Sequence, residues 1–398
     1  MAKKDILLIG KLVGLAKICA LKLLETDFSF TVLDTGEGYV TSLTNDLENK
    51  INDFIVYQDR LSYFELLKLI NNHRLIMSFG ASYGKLYFKY IYLHKLKNIP
   101  IIENHTGADI KEFALEKSVL ASFYRYYLKN VDINFTTPEI ESVRNVIKLK
   151  LKNSVIYRAF PYINTGLKNI LLNKRINSKK IKIFHPSHLD WMESDYFEGR
   201  NTIKGNDKFL VAIKQLANNG YKNFEVTLLN RGPDKEIAFK FIKDNKLDNY
   251  FIIKEHLSRD ELFKEMSNSH LLINSFGSGA IGGIAMEALS MGLPVMSHIG
   301  DIGKVFYYGN ECPIINCFTT EEIYNQLEKI LINPSILENI SKKSYNWFSM
   351  NIDSKYILYP LKFYYSILTN DDKFEEDKFE EELNKRKKYK NFLYYTKR

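Results

Sequence analysis

Short apolar runs alternate with stretches of helical periodicity along this whole 398-residue chain, and that alternation constrains the fold more than any other feature. In the first half the runs cover 6–9, 30–33, 54–57, 75–78, 99–103 and 133–136, with helical patterns over 15–24, 63–70 and 115–128. In the second half they cover 181–185, 225–229, 251–253, 271–274 and 294–297, with helical patterns over 208–217, 235–244, 260–266 and 284–291. Strands without polar alternation are buried on both faces, so the pattern predicts an α/β protein with mainly parallel sheets covered by helices. It weakens over 163–180, a polar stretch rich in Asn and Lys. The chain is long for one core, and we place two doubly wound, Rossmann-like domains at 1–165 and 176–350. Helical patterns then cover 320–331, 335–348 and 354–368, and a charged tail over 371–398 reads as a fraying surface helix. Two such domains in tandem predict a ligand cleft between them, at the carboxyl ends of the strands.

The bulk composition, 45% hydrophobic and 26% charged, is that of a soluble globular protein. Cys19, Cys312 and Cys317 make no metal pattern and cannot all pair within the chain, which fits a reduced, cytoplasmic compartment. The N-terminus has a basic start and an apolar run, but Lys11 and Lys17 interrupt it. It reads as a buried strand and an amphipathic helix, not a signal peptide, and no window reaches the roughly 18 apolar residues of a membrane span. The net charge of +9 falls almost wholly before residue 176, which suits an anionic partner for the first half: a membrane surface, a lipid-linked diphosphate or nucleic acid. A solvated basic surface accounts for it equally well. Nucleic acid is the least favoured, because the aromatics follow core periodicity and not an interleaved basic stripe. The aromatic and basic helix over 85–97 fits peripheral membrane contact, or burial, since its apolar residues run nearly all round it.

The segment over 271–299, LLINSFGSGAIGGIAMEALSMGLPVMSHI, carries the sharpest chemistry. An apolar strand runs into a loop with Gly277, Gly279, Gly282 and Gly283, and a helix opens with Glu287 near its start. Glycines before a helix N-terminus let a diphosphate reach bare N–H groups and the positive end of the helix dipole. The candidate contacts are Ser278, Gly279, Ala280, Ile281, Gly282 and Gly283, and Glu287 is left to accept from sugar hydroxyls. Arg200 and Lys204 precede another helix, where a basic pair neutralises a diphosphate leaving group. His185 and His188 end the preceding strand and point at the cleft, but their spacing suits no metal site and no acidic Asp-x-Asp motif sits at a strand end. No metal or cofactor is expected.

In the first half, Gly10 and Gly14 follow the first strand in a turn that resembles a dinucleotide fingerprint without its third glycine, and Asp34 follows the second strand where a ribose-binding acid would sit. The alternative is a tight strand-to-helix turn; if functional, it faces an acceptor. His105 and Asp109 follow the fifth strand and could orient a donor sugar or an acceptor hydroxyl, or form a loop capped by Asp109.

In this order the features resemble the GT-B glycosyltransferases, most closely the retaining enzymes of family 4. The resemblance covers about 181–348 by motif and the first domain by architecture. Arg200 and Lys204-Gly205 look like the basic pair that contacts the donor diphosphate. Leu229-Asn230-Arg231-Gly232-Pro233 matches a glycine-containing turn, and the segment from Glu255 to Leu262, with His256, resembles the base-binding loop. The stretch from Gly279 to Leu289 overlays a motif of two glutamates separated by seven residues. The second is Glu287, which implies a ribose contact; the first falls on Gly279, a departure that bears on the identity of the sugar. His105 resembles a cleft histidine near the donor sugar.

The resemblance implies two Rossmann-like domains facing across a cleft, with the last helix over 351–398 crossing back to the first. It implies transfer of a sugar from a nucleotide diphosphate donor to a glycan or lipid-linked acceptor hydroxyl, with retention and without a metal, in a polysaccharide or glycolipid pathway at the inner membrane face. A GT-B sugar-nucleotide epimerase and a catalytically silent nucleotide-sugar-binding protein are the alternatives. An inverting transferase would use His105 or Asp109 as general base.

Overall fold

Strand β1 (Lys4–Ile9) is exposed only at its first residue and buried from Asp5 onward, the signature of a central parallel strand covered on both faces. The computed structural model describes residues 3–10, 15–35, 45–79, 98–105, 108–111, 113–136, 140–151, 153–156, 179–191, 204–277, 279, 281–301, 304, 312–351 and 354–370. The helix expected over 85–97, most of the junction over 163–180 and the tail over 371–398 lie outside them. The chain forms two compact units, one of Met1–Pro161 with Asp353–Arg398, the other of Tyr162–Ile352.

In the first unit β1 is followed by α1 (Leu15–Leu23), β2 (Phe30–Asp34), α2 (Asn45–Asn49), β3 (Ile55–Tyr57), α3 (Tyr63–Asn71) and β4 (His73–Phe79). Then come β5 (Ile101–Asn104), α4 (Ala108–Lys111), α5 (Val119–Asn130), β6 (Ile133–Thr136), α6 (Ile140–Lys148) and β7 (Ser154–Ile156). The seven strands pair in parallel in the order β3-β2-β1-β4-β5-β6-β7. Leu7, Ile9, Ile76 and Ile101 from the sheet pack against Leu66 and Ile70 of α3 and Tyr124, Tyr127 and Leu128 of α5. The Ser62 hydroxyl accepts from Glu65 N, and the Glu65 carboxylate accepts from Ser62 N, which starts α3 with a capping box.

The second unit repeats the plan with β8 (Ile181–His185), α7 (Asn206–Asn218), β9 (Phe224–Leu229), α8 (Lys235–Asp244), β10 (Phe251–Lys254), α9 (Arg259–Ser267) and β11 (Leu271–Ile273). It closes with α10 (Gly283–Met291), β12 (Val295–Ser297), β13 (Ile315–Asn316), α11 (Thr320–Ile332) and α12 (Ile336–Asn351). Its six parallel strands run β10-β9-β8-β11-β12-β13. Helix α10 is buried from Ala285 to Met291 and ends on Gly292 at φ 78°, with Leu293 N donating to Ala288 O at 2.9 Å. The last helix, α13 (Ser354–Thr369), belongs to the first unit, where Tyr365 Oη donates to Asp5 Oδ1 at 2.7 Å and the Tyr365 ring meets Phe28 edge-on.

In both sheets the order of strands reverses direction beside the first strand, between β1 and β4 and between β8 and β11. Ligands of open α/β sheets bind at such switch points, outside the carboxyl ends of the strands. No helix among the described residues is long and apolar enough to cross a membrane.

Candidate functional site

In the second unit the segments following β8 and β11 meet at the switch point. Phe276 N donates to the Lys204 carbonyl at 2.7 Å and Ser275 Oγ donates to the same oxygen at 3.3 Å. Gly205, at φ 67°, turns the chain into α7, and its α-carbon faces the Phe276–Gly277 peptide. Lys204 is thereby fixed beside the glycine loop. The two histidines of β8 part company. His185 is fully buried, with Nε2 accepting from Asn206 Nδ2 at 2.9 Å and burial pushing its pKa down to about 4. Its ring is packed in the core of the second unit, which corrects the expectation that it is open to a ligand. His188 stays by the charges: desolvation, then Arg231 and Lys204, push its imidazole down to about 4. Arg231, Lys204 and a neutral His188 are therefore neighbours.

Arg231, half-buried, donates from Nε to the Pro186 carbonyl at 3.0 Å, which holds its guanidinium beside the segment that follows β8. Burial and then the nearby Arg259 charge lower its pKa. Glu287, only 6% exposed, forms an ion pair through Oε1 with Arg259 Nη2. Its other oxygen, Oε2, is buried with no hydrogen-bond partner among the described residues. Burial raises the Glu287 pKa, and Arg259 pulls against that rise. A buried acceptor without a donor is costly, and a ligand hydroxyl satisfies it. His256 lies on the exposed stretch between β10 and α9.

The glycine loop is built for close backbone approach. Gly279 has φ 68°, and a β-carbon there would lie 3.3 Å from Gly300 N. Gly282 caps α10 and a β-carbon on it would lie 3.2 Å from Asn274 Oδ1, while Gly283, the first residue of the helix, is exposed. Ile281 is fully buried, so its side chain belongs to the core and only its backbone is open to a ligand role. Arg200, Ser278, Ala280 and Gly14 lie outside the described residues.

The first unit gives its candidates a different setting. Gly10 has φ 136°, and a β-carbon there would lie 2.8 Å from Phe79 O, so the glycine is required by the contact between β1 and β4. Asp34 is buried and paired with Lys17 Nζ at 3.2 Å, and Lys17 also pairs with Glu48. The acid where a ribose would be bound is thus held by a lysine of the chain itself.

His105 is buried to 1% exposure, with Nδ1 2.7 Å from Asp109 Oδ2 and Nε2 3.1 Å from Asn134 Oδ1. Asn134 Nδ2 donates to Leu128 O, which turns Asn134 Oδ1 toward one ring nitrogen, while Asp109 Oδ2 faces the other. Burial opposes a positive charge on the ring, but Asp109, then Glu103 and Asn134, hold the His105 pKa above its ordinary value. Tyr124 Oη donates to Asp109 Oδ2 at 3.1 Å and Tyr127 Oη to Glu103 Oε2 at 2.7 Å. Burial first, with Asp109 adding, pushes the Glu103 carboxyl up to about 7. Asp109 lies within α4 and is not its cap. Glu103, His105 and Asp109 bring their ligand atoms within 4.8 Å of one another, but those atoms serve a hydrogen-bond network. In this structure His105 and Asp109 face that buried network.

No family model matches this sequence, and no curated protein matches it either. Solved structures match over nearly the whole chain. Sucrose-phosphate synthase from Thermosynechococcus elongatus has a TM-score of 0.61 and 12% identity, covering 92% of this chain and 99% of that one. Anabaena HepE in complex with UDP and glucose has a TM-score of 0.57 and 11% identity, covering 90% and 98%. The fold is GT-B. A putative UDP-N-acetylglucosamine 2-epimerase from Listeria monocytogenes shares it at a TM-score of 0.54 and 14% identity, covering 94% and 99%. Of the described candidates, Lys204, Arg231, His256, Gly279, Ile281, Gly282, Gly283 and Glu287 lie in the second GT-B unit, and Gly10, His105 and Asp109 lie in the first. Arg259 escaped the sequence reading as a site residue. Its signal was a basic residue in the first turn of a helix opened by the capping box Ser258-Arg259-Asp260-Glu261.

Proposed function

We propose that the second unit binds a nucleotide diphosphate sugar and that the protein transfers the sugar to an acceptor hydroxyl of a glycan or glycolipid. The observation that carries this reading is Glu287: a buried carboxylate on the helix that follows the glycine loop, with one oxygen unfilled. Lys204 stands at the same switch point, and the first turn of α10 presents backbone amides. A diphosphate seated on those amides places its ribose toward Glu287. HepE, of the same fold, was solved with UDP and glucose.

In the reaction the bond between the anomeric carbon and the diphosphate oxygen breaks, and negative charge grows on the leaving phosphate. Lys204, Arg200 and the α10 amides would take up that charge, each well-placed donor contributing about 3 kcal/mol to the transition state. The sugar then bonds to the acceptor oxygen, whose proton passes to the departing phosphate. That route retains the anomeric configuration and needs no protein nucleophile or metal. It also suits the state of His105, whose two nitrogens are already engaged.

The test is binding by thermal shift over a panel of nucleotide sugars, in the wild type and in Glu287→Ala and Lys204→Ala. Both variants should lose the donor-induced shift while still unfolding in one cooperative transition without ligand. Wild-type affinity in both would overturn the assignment. The fold shared with a putative epimerase favours a second reading, in which the donor is consumed with no acceptor present. Incubating the protein with donor alone separates the two.

A further inference from the structure

Helices α7 and α11 lie side by side on the second unit, and a groove of about 660 Å³ opens between them, away from the glycine loop. Gln215, Asn218 and Asn219 line it from the end of α7. Thr320, Glu321, Tyr324 and Asn325 line it from the first turns of α11. Thr320 and Tyr324 are half-buried, and the other side chains are exposed. Helix faces turned to water usually carry charge, and this chain is rich in it, with 56 Lys and Arg against 47 Asp and Glu. The described lining departs from that background. It has four side-chain amides, one acid, no lysine or arginine, and no aliphatic side chain.

The groove is held rigidly. Leu216 of α7 packs in one core with Ile323 and Leu327 of α11. Lys208 Nζ donates to Phe318 O at 2.9 Å at one end of the helix pair, and Asn223 Nδ2 donates to Leu331 O at 3.0 Å at the other. Between them Asn219 Nδ2 donates to Tyr324 Oη at 2.7 Å, and Tyr324 Oη donates to Glu328, which also accepts from Tyr221 Oη at 3.0 Å. That relay fixes one amide and the tyrosine ring in place. Groups set on packed helices keep their geometry better than groups on loops.

The chemistry of the lining selects its ligand. A carboxamide donates from nitrogen and accepts at oxygen, so one amide serves two neighbouring hydroxyls. Phosphates and nucleic acids are held by cations, which this groove lacks, and Glu321 would repel them. An apolar ligand would leave the amides without partners, and a protein partner would want an apolar centre. A neutral, polyhydroxylated chain meets every group. Helix α7 also connects the groove with the donor site: it opens beside Lys204, and Gln215 lies about 14 Å along its axis from Asn206.

We infer that the groove between α7 and α11 is a saccharide-binding subsite, separate from the donor site, which holds an uncharged stretch of the acceptor glycan. Its role in transfer rests on the function proposed above, while the class of ligand follows from the lining alone. A glycan held there stays at high effective concentration beside the donor.

The test is calorimetric titration of the full chain, with no nucleotide present, using hexasaccharides of glucose, mannose and N-acetylglucosamine, and one containing glucuronic acid as the charged comparison. At least one neutral chain should bind the wild type, and the charged chain should bind more weakly than it. Asn218→Ala combined with Asn325→Ala removes one amide from each helix and should weaken the bound chain by about tenfold or more. Both positions are exposed, so the unfolding midpoint should hold. Should it drop, Gln215→Arg, which places a long side chain in the groove, should weaken the same chain. A wild type that binds no neutral hexasaccharide, or binds the charged one best, overturns the subsite, as does wild-type affinity in a folded variant. The nucleotide-sugar thermal shift is read separately on the wild type. Saccharide binding without that shift leaves the groove standing and sinks the donor site, and the reverse result does the opposite.

Discussion

A β-carbon added at Gly232 would lie 2.3 Å from the Leu189 carbonyl oxygen and 2.4 Å from its nitrogen, whereas one added at Gly220 would meet nothing within 4 Å. Both glycines have positive φ, 117° and 84°. The pair separates the two costs of losing a glycine. Gly220→Ala should cost about 1 to 2 kcal/mol from the left-handed backbone alone. Gly232→Ala adds a backbone clash beside Arg231 and should lower the urea midpoint much further, to the point of poor expression. Gly279 joins the first cost to a close neighbour, Gly300. The buried Glu103 sets a pH dependence. Its folded pKa, about 7, lies above the unfolded value, so the folded state holds the extra proton between those pH values and stability falls as pH rises through that window. His105 has a raised pKa too and contributes with the same sign, its stabilisation being lost as pH climbs past its folded pKa. Glu103→Gln should flatten the decline, which is on the order of 2 to 3 kcal/mol, in chemical denaturation curves taken from pH 5 to pH 8.

Among elements, the last helix shows what sequence reading reaches and where it stops. The periodicity over 354–368 gave α13 almost to the residue. Its partner did not follow from pattern: Tyr365 donates to Asp5, whose Oδ2 also accepts from Ser29 N and Ser29 Oγ at 2.8 Å. Contacts between residues so far apart depend on the fold being complete. Tyr365→Phe leaves Asp5 one donor short in a buried place and should destabilise the first unit by about 1.5 to 3 kcal/mol. Limited proteolysis should then cut near α13 sooner than in the wild type. Most strands of the two sheets were legible because they lie within runs of apolar residues bounded by polar or glycine-containing stretches. Strands β7 (Ser-Val-Ile) and β13 (Ile-Asn) were not, since each is short and includes a polar residue, so no apolar run marks it. Capping residues placed helix starts better than hydrophobicity did. Ser118, which accepts from Ala121 N, starts α5 at Val119, four residues past the apolar pattern that suggested 115.

At the scale of the molecule, the glycine loop and Glu287 were visible in one stretch of sequence because the switch point of a parallel sheet joins a strand end to a helix start. Arg259 was not, because the pair it forms with Glu287 spans two helices and exists only in three dimensions. The burial of His105 was hidden for the same reason: its acceptors, Asp109 and Asn134, come from a helix and a neighbouring strand. Hydrogen exchange with a bound nucleotide sugar should slow amides near Lys204, around 279–287 and at the start of α9, and leave β1 and β5 unchanged. Protection confined to the first unit would contradict the donor site. The ion pair of Lys17 with Asp34 carries a last consequence. A chain that repeats one architectural plan need not repeat its cargo: with that carboxylate already spoken for in one copy, titration should give a stoichiometry of a single nucleotide per polypeptide.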